Sequence, residues 1–489
     1  AAAVVLILIL KKKQAAAERI LQILCVSMAG MCVINGVSIR SQVAKYENQK
    51  RQYAQPGEQI LELSRSGQNV IVLMLDRAID GYVPFLFDEK PELLESFSGF
   101  TWYPNTLSFG KCTNLGAPAL YGGYDYTPAA MDAREDTLLK DKNNEALMVL
   151  PTLLKEEGYE VTVCDPPYAG TYEWIPDYSM YYEAGIKAYT TEGAYSRAYF
   201  EPFSASYSAV QQHAAFYYSV LKVLPPAIQR FWYRDGFYFE QEQEAVNKEF
   251  LRCYSVMDNL VSITKVTSEE KNCFLQMQNG MTHDVTTLSK PDYEPAAGIS
   301  HTVLTLTMGP EYTLEKTIDD RSLSISNAYQ MGHYDSNMAA LITLGTWFDY
   351  LKEQGCWDNT RIILVSDHGR ELRDLGMENE TAGIDVEAFN PLLMVKDFGA
   401  AGFTVSDEYM TNADVPALAL SGIAENPVNP FTGNAISMEK KQTPLAVTTS
   451  MHWDVTGDQR TVFDLSDGVW FEVSPGNIFE DSNWRRLDD

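Results

Sequence analysis

Residues 358–369 read Asp-Asn-Thr-Arg-Ile-Ile-Leu-Val-Ser-Asp-His-Gly, and they are the most informative stretch of the chain. A turn at 358–360 followed by the apolar, β-branched run in 361–365 predicts a buried parallel strand. Asp367 and His368 then lie at the carboxyl end of this strand, which is the edge where open α/β sheets bind their ligands. An adjacent carboxylate and imidazole at such an edge indicate a metal site.

Other apolar runs extend this strand into a sheet. A helix that stops near Gly158 leads into one of them, and helical spacing over 334–354, stopped by Gly355, leads into the strand that precedes Asp367. The predicted strands lie at 70–75, 161–165, 273–277, 361–365 and 391–395. This alternation of strands and helices predicts an α/β fold with a doubly wound, mostly parallel sheet flanked by helices.

Composition and charge exclude several classes of protein. Hydrophobic residues make up 45% of the 489 residues, which is typical of a chain with a packed core and not of a disordered one. The 66 acidic residues outnumber the 38 basic ones and give a net charge of -28, which argues against a nucleic-acid surface because phosphate contacts need clustered Lys and Arg. An anionic substrate would therefore need a local basic pocket or a metal. The seven scattered cysteines indicate neither a disulfide framework nor a zinc ribbon.

The amino-terminal region predicts a membrane anchor. Residues 1–10 are all apolar but too few to span a bilayer, so we interpret them as the end of a truncated transmembrane helix. After the basic residues Lys11–Lys13 and Arg19, residues 20–39 are long and apolar enough for one transmembrane helix. Residues 40–68 are polar and are interpreted as a juxtamembrane stalk. An amphipathic anchor and an uncleaved signal sequence remain open as alternatives.

The remaining residues are expected to form a catalytic domain, 69–439, and a small C-terminal β-rich part, 440–489. In the latter, residues 463–473 are predicted to form a hairpin across Asp467-Gly468. Within the catalytic domain, the stretch 166–250 is rich in Tyr, Phe and Trp, and we interpret it as an insert whose aromatic side chains serve packing more than recognition. These side chains include Tyr181, Tyr182, Phe200, Phe216, Tyr217, Phe231, Trp232 and Tyr233.

A second carboxylate and a hydroxyl extend the candidate site. Asp76 is the first polar residue after its strand, and in a parallel sheet its carboxylate lies at the same edge as that of Asp367, where a divalent cation would offset their repulsion. Pro118 suits the first turn of a helix, which would place Thr113 or Asn114 at or just before the N-cap, near any bound phosphate. Taken alone, Thr113 would be a helix cap. Cys112 competes as the nucleophile, but attack on phosphorus favours a metal-ligated hydroxyl.

Together, Asp76, Thr113, the segment Asn279-Gly-Met-Thr-His283 and residues 358–369 resemble the alkaline phosphatase and sulfatase superfamily. The resemblance runs from about residue 69 to residue 433 and is most specific between Asn359 and Gly369. The branch that the chain resembles contains the membrane-anchored lipoteichoic acid synthase-like and phosphoethanolamine transferase-like proteins. The resemblance implies a sulfatase/alkaline phosphatase-like fold.

The resemblance also implies roles for the site residues. Asp76, Thr113, Asp367 and His368 are expected to hold one catalytic cation, Mn²⁺ or Zn²⁺, and Thr113 is expected to become the covalent phosphate carrier. His283 is expected to contact the substrate phosphate or the oxygen of the leaving group. The lipoteichoic branch usually has Glu where this chain has Asp76, so this position departs from the pattern.

Three further residues lie near these motifs. Arg370 and Lys111 are the nearest cations along the chain that would meet a phosphate, although each is also typical of a solvated side chain. His333 begins the long predicted helix and is either a cap or a residue behind the site.

Sulfatases carry a Cys/Ser-x-Pro-x-Arg signature whose first residue becomes formylglycine, and the segment that starts at Cys112 does not match it. A formylglycine sulfatase is therefore not expected.

These expectations describe an extracellular, membrane-anchored and metal-dependent phosphotransferase. It would take a phosphoglycerol or phosphoethanolamine unit from a phospholipid donor and pass it, through a phospho-threonine at Thr113, to a cell-envelope glycan or polymer. One alternative keeps the fold and uses water as the acceptor, as a phosphodiesterase or phosphatase does. Another is a non-catalytic ectodomain that binds the envelope.

The predicted orientation can be tested on intact cells. With Lys11–Lys13 and Arg19 on the cytoplasmic side and residues 20–39 spanning the cell membrane, residues 69–489 should lie outside. Protease added to intact cells should therefore digest residues 69–489, as followed by immunoblotting. Cleavage that occurs only after lysis would show the opposite orientation.

Overall fold

The structure of the protein is a computed structural model that describes residues 14–49, 52–172, 176–201, 207–233, 247–296, 308–451 and 459–487. The helices are α1 (Gln14–Gln49), α2 (Val83–Glu89), α3 (Leu93–Ser96), α4 (Thr113–Gly122), α5 (Pro128–Asp132), α6 (Leu139–Glu156), α7 (Ser179–Glu183), α8 (Arg197–Phe200), α9 (Tyr207–Val223), α10 (Pro226–Tyr233), α11 (Lys248–Asp258), α12 (Leu260–Ile263), α13 (Ala328–Glu353) and α14 (Val415–Leu420). The strands are β1 (Leu61–Ser64), β2 (Asn69–Leu75), β3 (Phe100–Trp102), β4 (Thr106–Leu107), β5 (Tyr159–Cys164), β6 (Lys187–Tyr189), β7 (Thr264–Thr267), β8 (Asn272–Asn279), β9 (Leu314–Ile318), β10 (Arg321–Ile325), β11 (Thr360–Val365), β12 (Glu378–Asn379), β13 (Ile384–Asp385), β14 (Leu393–Lys396), β15 (Thr404–Val405), β16 (Met410–Thr411), β17 (Leu445–Thr448), β18 (Trp470–Val473) and β19 (Trp484–Arg486). The chain divides into two compact units after Tyr53.

The first unit contains α1. Its residues Gln22–Arg40 are long and apolar enough to cross a membrane, judged by length and composition. This agrees in position with the transmembrane helix predicted at 20–39 and is compatible with a membrane anchor. The helix continues to Gln49, so the first part of the predicted stalk is helical. The predicted helix end at 1–10 and the basic residues Lys11–Lys13 lie outside the described residues.

The second unit is organised around an eight-stranded sheet with the order β15-β3-β14-β11-β2-β8-β5-β6. Its centre is parallel, because β2 pairs in parallel with both β11 and β8, and β8 pairs in parallel with β5. The strand predicted at 391–395 is β14, which runs antiparallel to both of its neighbours, β11 and β3. The predicted α/β fold with a mostly parallel sheet is confirmed.

Helices cover both faces of this sheet. Every residue of β2 is buried, and successive side chains point to opposite faces. Ile71 belongs to the core that contains Trp347 of α13, whereas Val72 belongs to the core that contains Leu120 of α4 and Leu150 of α6. The sheet is therefore the middle of three layers, and its buried strands hold their carboxyl ends in fixed positions.

The compact body begins earlier than predicted. The second unit starts at Ala54, and residues 61–64, which the sequence pattern assigns to the stalk, form β1. This strand pairs in parallel with β7, and its residues Leu61 and Leu63 are fully buried. The segment is a strand because a partner far along the chain supplies its hydrogen bonds and its apolar surroundings.

The C-terminal part is a three-stranded sheet rather than the predicted hairpin. β18 pairs antiparallel with β17 and with β19, and only Trp470–Val473, the last four residues of the stretch 463–473, form a strand. The turn at Asp467 instead contacts the chain after β17, since its carboxylate accepts a hydrogen bond from the backbone N–H of Met451 at 3.1 Å. Phe471 shares a core with Phe109, so this part packs against the rest of the second unit.

The aromatic stretch 166–250 has two different parts. Tyr178 and Tyr181 are fully buried, and β6 extends the main sheet, which agrees with the packing role predicted for this stretch. Phe216 and Phe231, on α9 and α10, are exposed instead. The packing role predicted for the aromatic side chains is therefore wrong for Phe216 and Phe231, whereas Tyr217 and Trp232 on the same helices stack on each other.

A buried carboxyl next to the sheet generates a prediction about stability. Asp80 accepts a hydrogen bond from Nε1 of Trp102 at 2.7 Å, and burial raises its pKa to about 8, although this hydrogen bond and the charge of Arg321 oppose the shift. The carboxyl of Asp80 therefore stays protonated in the native state up to about pH 8, whereas in the unfolded state it loses its proton near pH 4. The contribution of Asp80 to stability is present below pH 4 and is lost as the pH rises towards 8. Asp80→Asn keeps the acceptor but cannot ionise.

Relative to the parent, the free energy of unfolding of Asp80→Asn should therefore increase by about 5 kcal/mol between pH 4 and pH 8. Urea unfolding at both pH values measures this difference. Asp407→Asn, at an exposed aspartate, is the matched control and should show no such change. A difference for Asp80→Asn that does not vary with pH would contradict the prediction.

Candidate active site

The carboxyl ends of β2 and β11 bring two carboxylates and an imidazole together. The two strands are neighbours, and their parallel register runs from Asn69 opposite Thr360 to Met74 opposite Val365. Asp76, Asp367 and His368 follow these strands directly. One candidate ligand atom from each of the three lies within 4.8 Å of the others, and all three residues are buried.

Only one of the two carboxylate oxygens of Asp367 accepts hydrogen bonds among the described residues. Its Oδ1 accepts hydrogen bonds from the backbone N–H groups of Arg77 at 3.1 Å and of His368 at 3.0 Å. Its Oδ2 has no hydrogen-bond partner among the described residues and lies 3.5 Å from Nε2 of His368. The backbone therefore fixes the orientation of this carboxylate and leaves one oxygen directed at the imidazole.

The imidazole of His368 presents a lone pair to that oxygen. Nδ1 lies 2.7 Å from the carbonyl oxygen of Gly369, and this acceptor assigns the ring proton to Nδ1. Burial lowers the pKa of His368 to about 4, so the ring is neutral near pH 7 and Nε2 carries a lone pair. A cation-binding histidine needs this tautomer.

The carboxylate of Asp76 completes the cluster. Its Oδ1 has no hydrogen-bond partner among the residues that the structure describes, and its Oδ2 has only long contacts, with Oγ1 of Thr113 at 3.5 Å and Nε2 of Gln278 at 3.4 Å. Burial and the nearby charge of Asp367 raise the pKa of Asp76 to about 7. A divalent cation would relieve both effects, and the mixed oxygen and nitrogen ligands suit Mn²⁺ or Zn²⁺. The residues present thus fit one metal ion.

Thr113 is the first residue of α4. The residue before it, Cys112, has the extended backbone of an N-cap but makes no side-chain capping bond. Thr113 therefore lies where the free N–H groups and the positive end of the helix dipole favour an anion. Pro118 lies inside the helix and not in its first turn, contrary to the prediction.

A glycine brings α4 close to the end of β11. A Cβ atom on Gly116 would lie 2.3 Å from the carbonyl oxygen of Asp367, so only glycine permits this approach. Nδ2 of Asn412 donates to the same carbonyl oxygen at 2.8 Å. These contacts hold the nucleophile candidate on α4 at a fixed distance from the carboxylates.

The two nucleophile candidates face different surroundings. Sγ of Cys112 lies 3.0 Å from Oδ1 of Asn114 and 4.0 Å from the carbonyl oxygen of Ser450. Oγ1 of Thr113 is directed at Asp76. Thr113 is thus the candidate that contacts the carboxylates, and its role as the nucleophile stays a prediction.

A group of imidazole and guanidinium side chains lies beside the carboxylates. The loop after β8 wraps the end of β2, since Oγ1 of Thr282 donates to the carbonyl oxygen of Asp76 at 2.6 Å, and this brings His283 close. Burial alone would lower the pKa of His283, but the charge of Asp76 and a hydrogen bond with Asp284 raise it. Burial, together with the charges of Arg77, Arg370 and His283, holds the pKa of His333 well below its usual range.

Of these residues, the sequence pattern left His333 open as a cap or a residue behind the site, and it did not identify Arg77. His333 is neither a cap nor the start of its helix, which begins at the Asn327 cap, and both of its ring nitrogens lack a hydrogen-bond partner among the described residues. Arg77 has a backbone φ of 60°, which is uncommon for a residue other than glycine. The position of Arg77 directly after Asp76 could have identified it from the sequence as part of the site.

The two cations proposed from the sequence differ in their placement. Arg370 lies over the ring of Tyr329, with Cζ 5.9 Å from the ring centroid, and the same ring packs edge-on against His333 at 4.8 Å. Nζ of Lys111 forms an ion pair with Glu371 at 3.3 Å. The structure thus brings Arg370 and His333 to the same tyrosine ring. A contact between Lys111 and a phosphate stays a prediction.

The chain matches a known protein family and, over a short segment, a known relative. The family described as Sulfatase matches residues 68–421, a span that contains Asp76, Thr113, His283, Asp367 and His368. Over 56 residues, the chain is 45% identical to the multifunctional alkaline phosphatase superfamily protein PehA of Trinickia caryophylli, and this match covers 12% of the chain and only 11% of that relative.

The solved structures to which the chain is similar have low sequence identity to it. A protein in the alkaline phosphatase superfamily from Vibrio parahaemolyticus is 14% identical, with a TM-score of 0.41, over 87% of this chain and 83% of that chain. The lipoteichoic acid synthase LtaP from Listeria monocytogenes is 11% identical, with a TM-score of 0.40, over 87% of this chain and 85% of that chain. The phosphonate monoester hydrolase of Agrobacterium radiobacter is 12% identical, with a TM-score of 0.44, over 86% and 88%.

The cluster of Asp76, Asp367 and His368 predicts a single metal site that depends on all three residues. Asp367→Asn and His368→Ala each remove a ligand, so each should lower the affinity for Mn²⁺ or Zn²⁺ by more than about tenfold. Elemental analysis after chelation and back-titration measures this. Asp80→Asn, which changes a buried carboxyl outside the cluster, should bind the metal as the parent does. Unchanged metal content in Asp367→Asn would contradict the assignment.

Proposed function

Because the chain belongs to the sulfatase family, within the alkaline phosphatase/sulfatase superfamily, we propose that it is a membrane-anchored, metal-dependent phosphotransferase with its catalytic domain outside the cell. It transfers a phosphoglycerol or phosphoethanolamine unit from a phospholipid to a cell-envelope glycan or polymer. The transfer passes through a covalent intermediate on Thr113. The apolar helix α1 supports a membrane-embedded donor, since it has the length and composition of an anchor.

The observation that carries this proposal is the contact of Thr113 with a cluster that fits a divalent cation. Oγ1 of Thr113 lies 3.5 Å from Oδ2 of Asp76, which forms the cluster together with Asp367 and His368. Arg77 and His283 carry charges that act on Asp76, and these side chains suit the charge of a phosphate. A hydroxyl at a candidate metal cluster, with cationic side chains nearby, supports transfer of a phosphoryl group.

The proposed reaction has two steps, and each step forms one bond to phosphorus and breaks another. Oγ1 of Thr113 forms a bond to phosphorus as the bond from phosphorus to the diacylglycerol oxygen breaks, and diacylglycerol leaves with a proton. An acceptor hydroxyl then forms the new bond to phosphorus, and Thr113 leaves and regains its proton. In this proposal His283, on the loop that wraps Asp76, exchanges these protons. A bound divalent cation would lower the pKa of the attacking hydroxyl and offset the charge of the phosphate.

The nucleophile is tested by two neighbouring substitutions. Thr113→Ala should lower kcat by at least about 10³-fold, because it removes the atom that forms the covalent bond. Cys112→Ser should retain activity within about tenfold, because its sulfur contacts Asn114 and Ser450 rather than the carboxylates. Turnover of phospholipid in vesicles measures both variants. A dead Cys112→Ser with an active Thr113→Ala would reverse the assignment.

The intermediate and the acceptor are tested by mass spectrometry. After incubation with phospholipid vesicles, the peptide that contains Thr113 should carry the mass of the head-group phosphate, and Thr113→Ala should carry none. Chase with a hydroxyl-bearing glycan in ¹⁸O-water distinguishes the two possible acceptors. Isotope in the released phosphate, at a rate that the glycan does not affect, would make the protein a hydrolase with the same site.

A further inference from the structure

The helices α9 and α10 expose an unusual concentration of large apolar side chains. Outside α1, the other exposed large apolar side chains among the described residues are scattered along the chain, whereas six fall between residues 216 and 233. Phe231 and Val223 are 80% and 79% exposed. We refer to these six as the aromatic patch: Phe216, Tyr218, Val223, Ile228, Phe231 and Tyr233.

The opposite faces of the two helices already contact each other. The ring of Tyr217 stacks on that of Trp232, with centroids 5.4 Å apart. Nε2 of Gln229 donates to the carbonyl oxygens of Leu221 at 3.1 Å and Leu224 at 2.9 Å, which joins the end of α9 to α10. The helices therefore form a hairpin with its own internal contacts, and the aromatic patch lies on the faces that these contacts leave exposed.

The charge of this hairpin is opposite to that of the chain. Acidic residues account for 66 of the 489 residues, yet residues 207–233 contain none. The same segment carries Lys222 and Arg230, which are both exposed. A surface that combines exposed aromatic and aliphatic side chains with basic ones, and lacks acidic ones, is typical of a helix that lies in the interface of a membrane.

We propose that the aromatic patch inserts into the head-group region of an anionic phospholipid bilayer, with Lys222 and Arg230 at the level of the lipid phosphates. The chain supplies a reason for the bilayer to be nearby, since α1 is long and apolar enough to cross it. Basic residues attract an anionic surface, which a body with a net charge of -28 would otherwise repel. The proposal shares the membrane anchor with the proposed function but does not depend on the reaction.

The test uses the full chain in nanodiscs that each hold one molecule, made from phosphatidylcholine and phosphatidylglycerol. Cys25 and Cys32, the two exposed cysteines, are replaced by serine, and a nitroxide label is attached at Phe231→Cys. Val405→Cys is the matched control, because Val405 is an exposed apolar residue outside the aromatic patch. Electron paramagnetic resonance then compares collisions of the label with oxygen, which concentrates in lipid, and with a water-soluble nickel chelate.

The label at position 231 should show a several-fold higher ratio of oxygen to nickel collisions than the label at position 405. Equal ratios at the two positions would overturn the proposal. A label at 231 that is shielded from both reagents would also overturn it, because protein would then cover the patch. Lys222→Glu combined with Arg230→Glu should reduce the ratio at 231 in the anionic nanodiscs, and an unchanged ratio would overturn the electrostatic part.

Discussion

Repulsion between two buried carboxylates at the ends of adjacent strands is the constraint on which the site depends. The parallel register of β2 and β11 places Asp76 and Asp367 side by side, and burial makes the charge of each more costly than it would be in water. The protein offsets only part of this cost. Backbone N–H groups satisfy one oxygen of Asp367, while the other oxygen and Nε2 of His368 present lone pairs to each other. A divalent cation removes this repulsion, so metal binding and the stability of this edge of the sheet are linked.

The surroundings keep these groups from moving apart. Gly116 lets α4 lie against the carbonyl oxygen of Asp367, and a Cβ atom on Gly369 would lie 1.9 Å from the carbonyl oxygen of Glu387. The chain is therefore closely packed on both sides of the Asp-His pair. This packing positions the hydroxyl of Thr113 at the carboxylates without a bond strong enough to hold it there, since its contact with Asp76 is 3.5 Å long. A nucleophile that is fixed by its backbone keeps its side chain available for reaction.

The distribution of charge is uneven in this acidic chain. An anionic substrate would need either a local basic pocket or a metal, and residues suited to each follow the carboxyl ends of β2, β8 and β11. Arg370 and His333 come from separate segments and meet at the ring of Tyr329, whereas Arg77 follows Asp76 directly. The acid-free hairpin of α9 and α10 is a second local departure from the charge of the chain. Net charge thus describes the surface as a whole but not its local groups of basic residues.

The sequence by itself determined the central strands, the long helix and the residues that end the strands. Apolar runs such as 70–75 and 361–365 predict buried strands, because a strand that is buried on both faces shows no alternation of polar residues. Asp76, Asp367 and His368 come just after these runs, so their position at the edge of the sheet could also be predicted. Only the tertiary structure decided which distant residues join them. Leu61–Ser64 is a strand because of β7, and β18 pairs with β17 rather than within a hairpin. The exposure of Phe231 and the burial of His333 likewise depend on contacts between segments far apart in sequence, which local spacing does not encode.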